Sequence, residues 1–249
     1  MKAILLAAGK GTRLSPQTED LPKCLLKIKD KTILEYILDR IVENNIQEIV
    51  IVIGFCGDKI RGIIGNTYKG FPVTYVFNPV FDRTNSIYSL WLAENVVGDS
   101  FVVINADTLF SKRILQHLSE SPYEIALATD DTLIGEISEE AMKVTIINGV
   151  IKDVSKQIPP ERAHGVAIGL YKFGPKGKTK LYKELKRLVD SKILDQLFTK
   201  AVKNLIMNDL EVFPISTKGL SWIDIDTYND LKIGEKIVEK MLEENNRKE

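Results

Sequence analysis

The sequence predicts an α/β fold: a mainly parallel, doubly wound sheet with an antiparallel or mixed extension. Up to about Asp107, short and uniformly apolar runs alternate with helical patterns, as in a parallel sheet that helices cover on both faces. Beyond Asp107, several strand-like runs follow one another, and Asn148-Gly149 between two of them is a strong hairpin signal. The chain of 249 residues has the size of one large domain.

The first half alternates regularly between buried strands and amphipathic helices. An apolar run ends shortly before Gly9, a helical pattern ends at Asn44, and a second apolar run follows at once. Strand, helix, strand in this order forms a right-handed crossover in nearly every known sheet. The predicted elements are a strand at 3–7, a helix at 33–42, a strand at 48–54, a helix from Asp58, a strand at 73–77, a helix at 86–95 and a strand at 101–105.

The second half has fewer helical patterns. Strands are predicted at 124–128, 143–147, 150–154 and 166–173, and helices at 176–190 and 226–244. The lysine-rich helix around 176–192 is interpreted as a solvated face, with contact to an acidic partner or a membrane surface as the alternative. No internal repeat or low-complexity linker divides the chain, which predicts a single domain over 1–249.

Composition excludes several classes of protein. The 34 basic and 34 acidic residues balance, whereas a dedicated nucleic-acid binder carries a basic excess. Two cysteines and two histidines are too few for a disulfide framework or a Cys/His zinc site. No apolar run approaches the roughly 20 residues that span a bilayer, so we expect a cytoplasmic protein without a membrane span.

A small-residue loop follows the first strand. Glycine and alanine at 7, 8, 9 and 11 let backbone N–H groups approach a ligand and form an anion nest. Arg13 and Lys23 then supply cations for the same anion. A dinucleotide fingerprint would need a third glycine where Leu14 stands, and a Walker loop would need Gly-Lys-Ser/Thr after four spacers. The sequence therefore favours a phosphate site of another kind.

Residues 6–14, with Pro16, Pro22 and Lys23, resemble the signature of the nucleotidyltransferases that make nucleoside-diphosphate sugars and alcohols. The resemblance implies a Rossmann-like, three-layer fold of the glycosyltransferase A type, with a nucleotide-binding half at 1–107 and an acceptor-binding half at 108–249. It also implies attack by a phosphate monoester on the α-phosphorus of a nucleoside triphosphate. Arg13 and Lys23 become the charge-stabilising catalytic pair. The implied nucleotide-binding residues of the loop are Leu6, Ala7, Ala8, Gly9, Gly11 and Thr12.

Two carboxylates complete the predicted site. Asp107 follows the strand at 101–105, and the stretch at 221–227 resembles the late motif of the family, in which Asp226 shares a magnesium ion with Asp107. Magnesium needs few protein carboxylates, because water and phosphate oxygens complete its octahedron. Asp107 is thus predicted to be both catalytic and a metal ligand. As an alternative, Asp107 and Asp226 each cap a helix. Asp224 is assigned to binding of the acceptor, and it is also the alternative to Asp226 as the second metal ligand.

Residues 78–91 resemble the branch of the family that activates small phosphorylated alcohols with CTP. Asn85 and Ser86 stand where sugar-nucleotide enzymes usually carry a Gly-Leu-Ala-type sequence, and we assign both to the nucleotide. As an alternative, they only cap the following helix, and Tyr88 and Trp91 only pack in the core.

Residues 154–169 also resemble this branch, and Lys156 is the candidate for the acceptor phosphate. Relatives that handle amines often carry Glu after the glycine that matches Gly165, and this chain has Val166. The missing anion favours a neutral acceptor, inositol 1-phosphate, over phosphocholine or aminoethylphosphonate. A sugar 1-phosphate and a non-catalytic nucleotide-binding regulator stay open as alternatives, as does a homodimer.

Overall fold

The computed structural model describes residues 1–246. The last three positions of the predicted second half lie outside the described residues. The first half holds β1 (Lys2–Ala7), β2 (Lys27–Ile28), β3 (Lys31–Thr32), α1 (Ile33–Glu43), β4 (Glu48–Ile53), α2 (Gly57–Ile64), β5 (Thr67–Tyr68), β6 (Phe71–Phe77), α3 (Ser86–Leu92) and β7 (Phe101–Asn105).

The second half adds more strands than helices. Its elements are β8 (Thr108–Phe110), α4 (Lys112–Glu120), β9 (Ile125–Asp130), β10 (Lys143–Ile147), β11 (Val150–Ser155), β12 (Gly165–Phe173), α5 (Pro175–Asp190), α6 (Thr199–Met207), β13 (Phe213–Ser216), β14 (Trp222–Asp224) and α7 (Tyr228–Asn246). No helix among residues 1–246 is both long enough and apolar enough to cross a membrane.

The main sheet is built around β1. Strand β1 lies between β4 and β7 and is parallel to both, so that Leu5 is in register with Ile51 on one side and Ile104 on the other. Strand β6 continues the parallel part beside β4. Strand β12 runs antiparallel to β7, β9 and β10, and β11 closes a hairpin with β10. This confirms a mixed, mainly parallel sheet with a small antiparallel extension.

Helices cover both faces of the sheet. Successive residues of a strand point to opposite faces, and accordingly Leu5 packs with residues of α1 and α4 while Ile4 packs with residues of α3 and α5. Burial of branched aliphatic side chains on both faces explains why the parallel strands are continuous apolar runs rather than alternating ones. The structure is therefore the three-layer sandwich that the sequence predicts.

Two helices were not predicted from the sequence. Helices α4 and α6 have nine residues each, and each buries one narrow apolar face on the sheet. Length does not explain the omission, because the shorter helices α2 and α3 were predicted. The small sheet of β8 and β14 was also missed, because its strands have three residues each and come from distant parts of the chain.

Candidate active site

The loop after β1 folds closely over Lys23. Gly11 has φ 65°, and a Cβ atom added to it would lie 2.7 Å from the Cβ of Lys23. The carbonyl of Gly11 accepts hydrogen bonds from the Thr18 hydroxyl at 2.9 Å and from the Leu14 backbone N–H at 3.0 Å. Leu14 is buried, whereas the Arg13 side chain beside it is exposed. Glycine at position 11 thus lets the loop place two cations near each other.

The β8–β14 pair brings two aspartates to this loop. Thr108 is in antiparallel register with Asp224, and the backbone N–H of Ile225 donates to the carbonyl of Asp107 at 2.9 Å. Asp107 directly precedes β8, and Asp226 lies two residues after β14. The two aspartates are therefore side by side at one end of the small β8–β14 sheet. Backbone pairing, rather than sequence proximity, assembles the carboxylates.

The four charged side chains form one cluster. Lys23 Nζ lies 2.8 Å from Oδ2 of Asp107 and 2.6 Å from Oδ1 of Asp226. The guanidinium of Arg13 lies 2.7 Å from the same Asp226 oxygen. Burial opposes the charge on Lys23, but the two carboxylates outweigh it and raise its pKa. Burial likewise opposes ionisation of Asp226, and its contacts with Lys23 and Arg13 outweigh it and lower its pKa.

Neither aspartate of the cluster caps a helix. Thr227 and Asp230 exchange the capping hydrogen bonds at the start of α7: Thr227 N donates to Asp230 Oδ2 at 2.7 Å, and Asp230 N donates to the Thr227 hydroxyl at 3.3 Å. Helix α4 begins only at Lys112, with Ser111 as its N-cap residue. Both carboxylates are consequently directed at the cations.

Asp224 has a different environment from Asp226. It accepts a hydrogen bond from the Thr108 hydroxyl. Burial, reinforced by the nearby charge of Asp107, raises its pKa to about 7. Asp224 makes no ion pair with Lys23 or Arg13 among the contacts of the described residues. The aspartate of the charge cluster is therefore Asp226 and not Asp224.

Three adjoining cavities surround the cluster. The loop after β1, residues 8–12, is called the glycine loop. The loop cavity, about 340 Å³, is lined by residues of the glycine loop together with Arg13 and Lys23. The α3 cavity, about 210 Å³, lies between that loop and the start of α3. The large cavity, about 510 Å³, lies toward β12, β14 and the loop at 131–142. Asp107 lines all three, which places it where ligands in separate cavities would meet.

The predicted nucleotide-binding residues are distributed over the first two cavities. Leu6 and Gly9 line both. The others line one or both of them: Ala7, Gly11 and Thr12 the loop cavity, Ala8 and Ser86 the α3 cavity, and Asn85 both.

Asn85 and Ser86 also hold the local structure. The Asn85 side chain accepts from the Ser86 backbone N–H at 2.8 Å as the N-cap of α3, and the Ser86 hydroxyl accepts from the Phe198 N–H at 2.8 Å. Tyr88 and Trp91 contact each other with ring centroids 5.4 Å apart and ring planes tilted by 34°, and they line none of the three cavities. The packing interpretation fits this aromatic pair.

The predicted acceptor residues both line the large cavity. Lys156 and Asp224 are among its wall residues, and so is Val166. The Nζ of Lys156 lies 3.7 Å from a Glu140 carboxylate oxygen.

Sequence reasoning missed several wall residues. Asn105 lines the α3 cavity and the large cavity, and its position at the end of β7, two residues before Asp107, was an available signal. Glu136, Glu140 and Trp222 also line the large cavity. The two glutamates lie in an irregular loop with no motif, and nothing in the sequence indicated their position.

The described residues contain no group of three or more His, Cys, Asp or Glu side chains that converges as a metal site. Asp107 and Asp226 form a pair of carboxylates that share one ammonium ion. The fold and the site thus define an α/β protein that collects cations and carboxylates at the carboxyl edge of its sheet, where such folds bind ligands.

Comparisons with known proteins agree with this class. The family model described as nucleotidyl transferase matches residues 2–240. A CTP:phosphoglutamine cytidylyltransferase of Campylobacter jejuni is 26% identical over 254 residues, which cover 94% of this chain and 98% of that protein. A choline-phosphate cytidylyltransferase of Streptococcus pneumoniae is 27% identical over 239 residues, covering 96% and 98%.

Among solved structures, an inositol-1-phosphate CTP transferase from T. maritima has the same fold, with a TM-score of 0.80, 23% identity and coverage of 97% of this chain and 96% of that chain. The chain belongs to the nucleotidyl transferase family. It is a cytidylyltransferase-like nucleotidyltransferase, and the two relatives named above are cytidylyltransferases for phosphoglutamine and for choline phosphate.

Proposed function

We propose that the protein transfers CMP from CTP to the phosphate of a small phosphorylated alcohol and releases pyrophosphate. The observation that carries the proposal is that Arg13, Lys23, Asp107 and Asp226 form one ion cluster where the three cavities adjoin. In this proposal the loop cavity takes the triphosphate, the α3 cavity takes the cytosine nucleoside, and the large cavity takes the acceptor. The glycine loop and α3 belong to the half at 1–107, and most of the acceptor wall belongs to the half at 108–249.

The chain's own residues supply binding and electrostatic stabilisation rather than acid–base chemistry. A phosphate monoester dianion is already a nucleophile, so the protein needs to align two anions and neutralise the charge that develops on the α-phosphate and the leaving group. Arg13 and Lys23 are the two cations for this task. The backbone N–H groups of the glycine loop add fixed dipoles.

Magnesium is proposed as the metal. Two carboxylates already bind one cation, the Lys23 ammonium, within 2.8 Å, and oxygen donors are the ligands that magnesium prefers. Asp107 and Asp226 would hold the ion, and when bound it would neutralise charge on the triphosphate. Lys23 would then exchange its carboxylate partners for phosphate oxygens.

Inositol 1-phosphate is the first candidate for the acceptor. Val166, an apolar residue, lines the large cavity at the position where amine-handling relatives often have Glu. The inositol-1-phosphate CTP transferase from T. maritima shares the fold, although at 23% identity this likeness does not extend to the substrate.

One observation favours a second candidate. Glu136 and Glu140 bring carboxylates to the large cavity from the loop at 131–142, and Trp222 adds an aromatic ring. Carboxylates and aromatic faces both attract cations. A phosphorylated amino alcohol such as phosphocholine is therefore the second candidate, since these glutamates replace the anion that Val166 lacks.

The test is pyrophosphate release from each of the four nucleoside triphosphates in the presence of magnesium. Acceptors are inositol 1-phosphate, phosphocholine, aminoethylphosphonate and glucose 1-phosphate. We expect turnover with CTP and a phosphorylated alcohol. Faster turnover of phosphocholine than of inositol 1-phosphate would select the second candidate, and binding of CTP without turnover of any acceptor would favour the non-catalytic regulator.

A further inference from the structure

Lys143, the first residue of β10, is a lysine with no exposed surface. Its Nζ donates to three backbone carbonyls of the preceding loop: Ser138 at 3.3 Å, Ala141 at 3.2 Å, and Glu139. Burying a long cationic side chain is costly unless its donors are satisfied. Here the ammonium group finds an acceptor for each of its three N–H donors within four consecutive residues of one irregular segment.

That segment, the loop at 131–142, is a large part of the acceptor-side wall. Seven of its residues line the large cavity: Leu133, Glu136, Ile137, Ser138, Glu140, Ala141 and Met142. The loop has no helix or strand of its own; turn hydrogen bonds such as Glu136 N to Leu133 O at 2.8 Å and Ala141 N to Ser138 O at 3.2 Å are supplemented by contacts from buried side chains.

The other end of the loop is held by a second buried charge. Asp130, the last residue of β9, accepts from the Thr132 backbone N–H at 2.8 Å and hydroxyl at 2.7 Å. Its other oxygen accepts from the Trp222 indole N–H at 2.6 Å, and Trp222 itself lines the large cavity. Buried side chains thus fasten the loop at both of its ends.

We propose that Lys143 is a positioning residue for the acceptor: it holds the loop at 131–142 as the wall of the acceptor pocket and so sets acceptor affinity without touching substrate. This inference rests on the proposed function, which assigns the large cavity to the acceptor. Asp130 performs the same task at the start of the loop and also orients Trp222.

The test uses Lys143→Met, which keeps most of the apolar stem of the side chain and removes all of its hydrogen-bond donors. We expect KM for the acceptor to rise at least tenfold, with KM for CTP changed less than twofold. Amide hydrogen exchange over 131–142 is expected to accelerate, while exchange over the glycine loop stays as in the wild type. Asp130→Asn is expected to raise the acceptor KM in the same direction.

Lys172→Met is the matched control. Lys172 is also a buried lysine on a strand, and its ammonium donates to a backbone carbonyl, that of Ser121, but neither residue lines the large cavity. We expect this variant to lose stability while keeping the acceptor KM. Equal effects of the two variants on the acceptor KM would overturn the proposal, because they would show general destabilisation.

Two other outcomes are distinguishable. Unchanged exchange over 131–142 in Lys143→Met overturns the proposal whatever the activity, since the lysine would then not hold the loop. If the wild-type protein turned over no acceptor with CTP, the proposed function would fail, and the exchange measurement would still decide whether Lys143 holds the loop.

Discussion

The ammonium of Lys23 lies 2.6 Å from the Asp226 carboxylate, although 203 positions separate the two residues in the chain. The same ammonium contacts Asp107, so that one side chain links the glycine loop to both carboxylates. The pKa of Lys23 is raised and that of Asp226 is lowered, so this pair favours the charged form of both partners.

Lys23→Ala is expected to lower turnover by on the order of 100-fold, since loss of about 1.4 kcal/mol of transition-state stabilisation corresponds to a tenfold decrease in rate. The measurement is kcat for pyrophosphate release from CTP. Lys59→Ala, which changes an exposed lysine on α2 outside the three cavities, is the control and should retain the wild-type rate. A folded Lys23→Ala protein with a near-normal rate would remove Lys23 from the mechanism.

Asp226→Asn and Asp224→Asn are expected to differ in effect. Asp226 contacts both cations, so its substitution should lower kcat by on the order of 100-fold. Asp224 lines the large cavity and bonds to Thr108, so its substitution should mainly raise KM for the acceptor. Steady-state kinetics with each substrate varied in turn separates the two, and identical kinetic defects would contradict the division of roles.

Gly11→Ala is expected to destabilise the protein by about 1–3 kcal/mol, because the new methyl group would meet Lys23 and the backbone has a positive φ. The same change should weaken CTP binding. Gly62→Ala is the matched control: nothing lies within 4 Å of its added Cβ atom, and it stands inside α2. That variant should gain up to about 1 kcal/mol. Urea denaturation measures both, and a neutral Gly11→Ala would show that the loop can move away from Lys23.

Asp39 on α1 is expected to make stability depend on pH. Burial opposes its ionisation, but hydrogen bonds from Lys31, Lys69 and Tyr68 outweigh burial and lower its pKa. A carboxyl group whose pKa is lowered by folding stabilises the protein above its unfolded pKa, and this contribution is lost as pH falls through the folded pKa. Asp39→Asn should therefore cost about 1–3 kcal/mol at pH 7 and progressively less below about pH 4.

The measurement is urea denaturation of wild type and Asp39→Asn at several pH values. Asp99→Asn, which changes an exposed carboxyl, should follow the wild-type curve throughout. A stability difference for Asp39→Asn that stayed constant down to pH 3 would show that the residue contributes through packing rather than through its charge.

Much of the fold could be predicted because the parallel strands are buried on both faces. Apolar runs such as that of β1 have no other simple interpretation when helical patterns separate them. Helices α4 and α6 were not predicted, and their length of nine residues is not the reason, because the shorter helices α2 and α3 were predicted. The pairing of β8 with β14 could not be predicted, because three-residue strands are too short to show periodicity. Nothing in the local sequence indicates which distant strand is the partner.

The residues of the ion cluster could be predicted because each of them matches a residue in a motif of the family that the sequence resembles. Their mutual contacts, however, depend on the β8–β14 pairing, which only the structure shows. The wall of the large cavity is the opposite case, since Glu136 and Glu140 lie in a loop without a motif, and the buried Lys143 binds backbone carbonyls of that loop.

The late position of β14 has a consequence for biosynthesis. A ribosome must pass residue 226 before Lys23 can meet both of its carboxylate partners, so a nascent chain that has already formed β1, β4 and β7 still lacks half of its acidic pair. A buried lysine with an incomplete set of counter-charges is destabilising. The half at 1–107 is therefore expected to gain its final rigidity only once β14 has paired with β8, which makes assembly of the ion cluster a late step of folding.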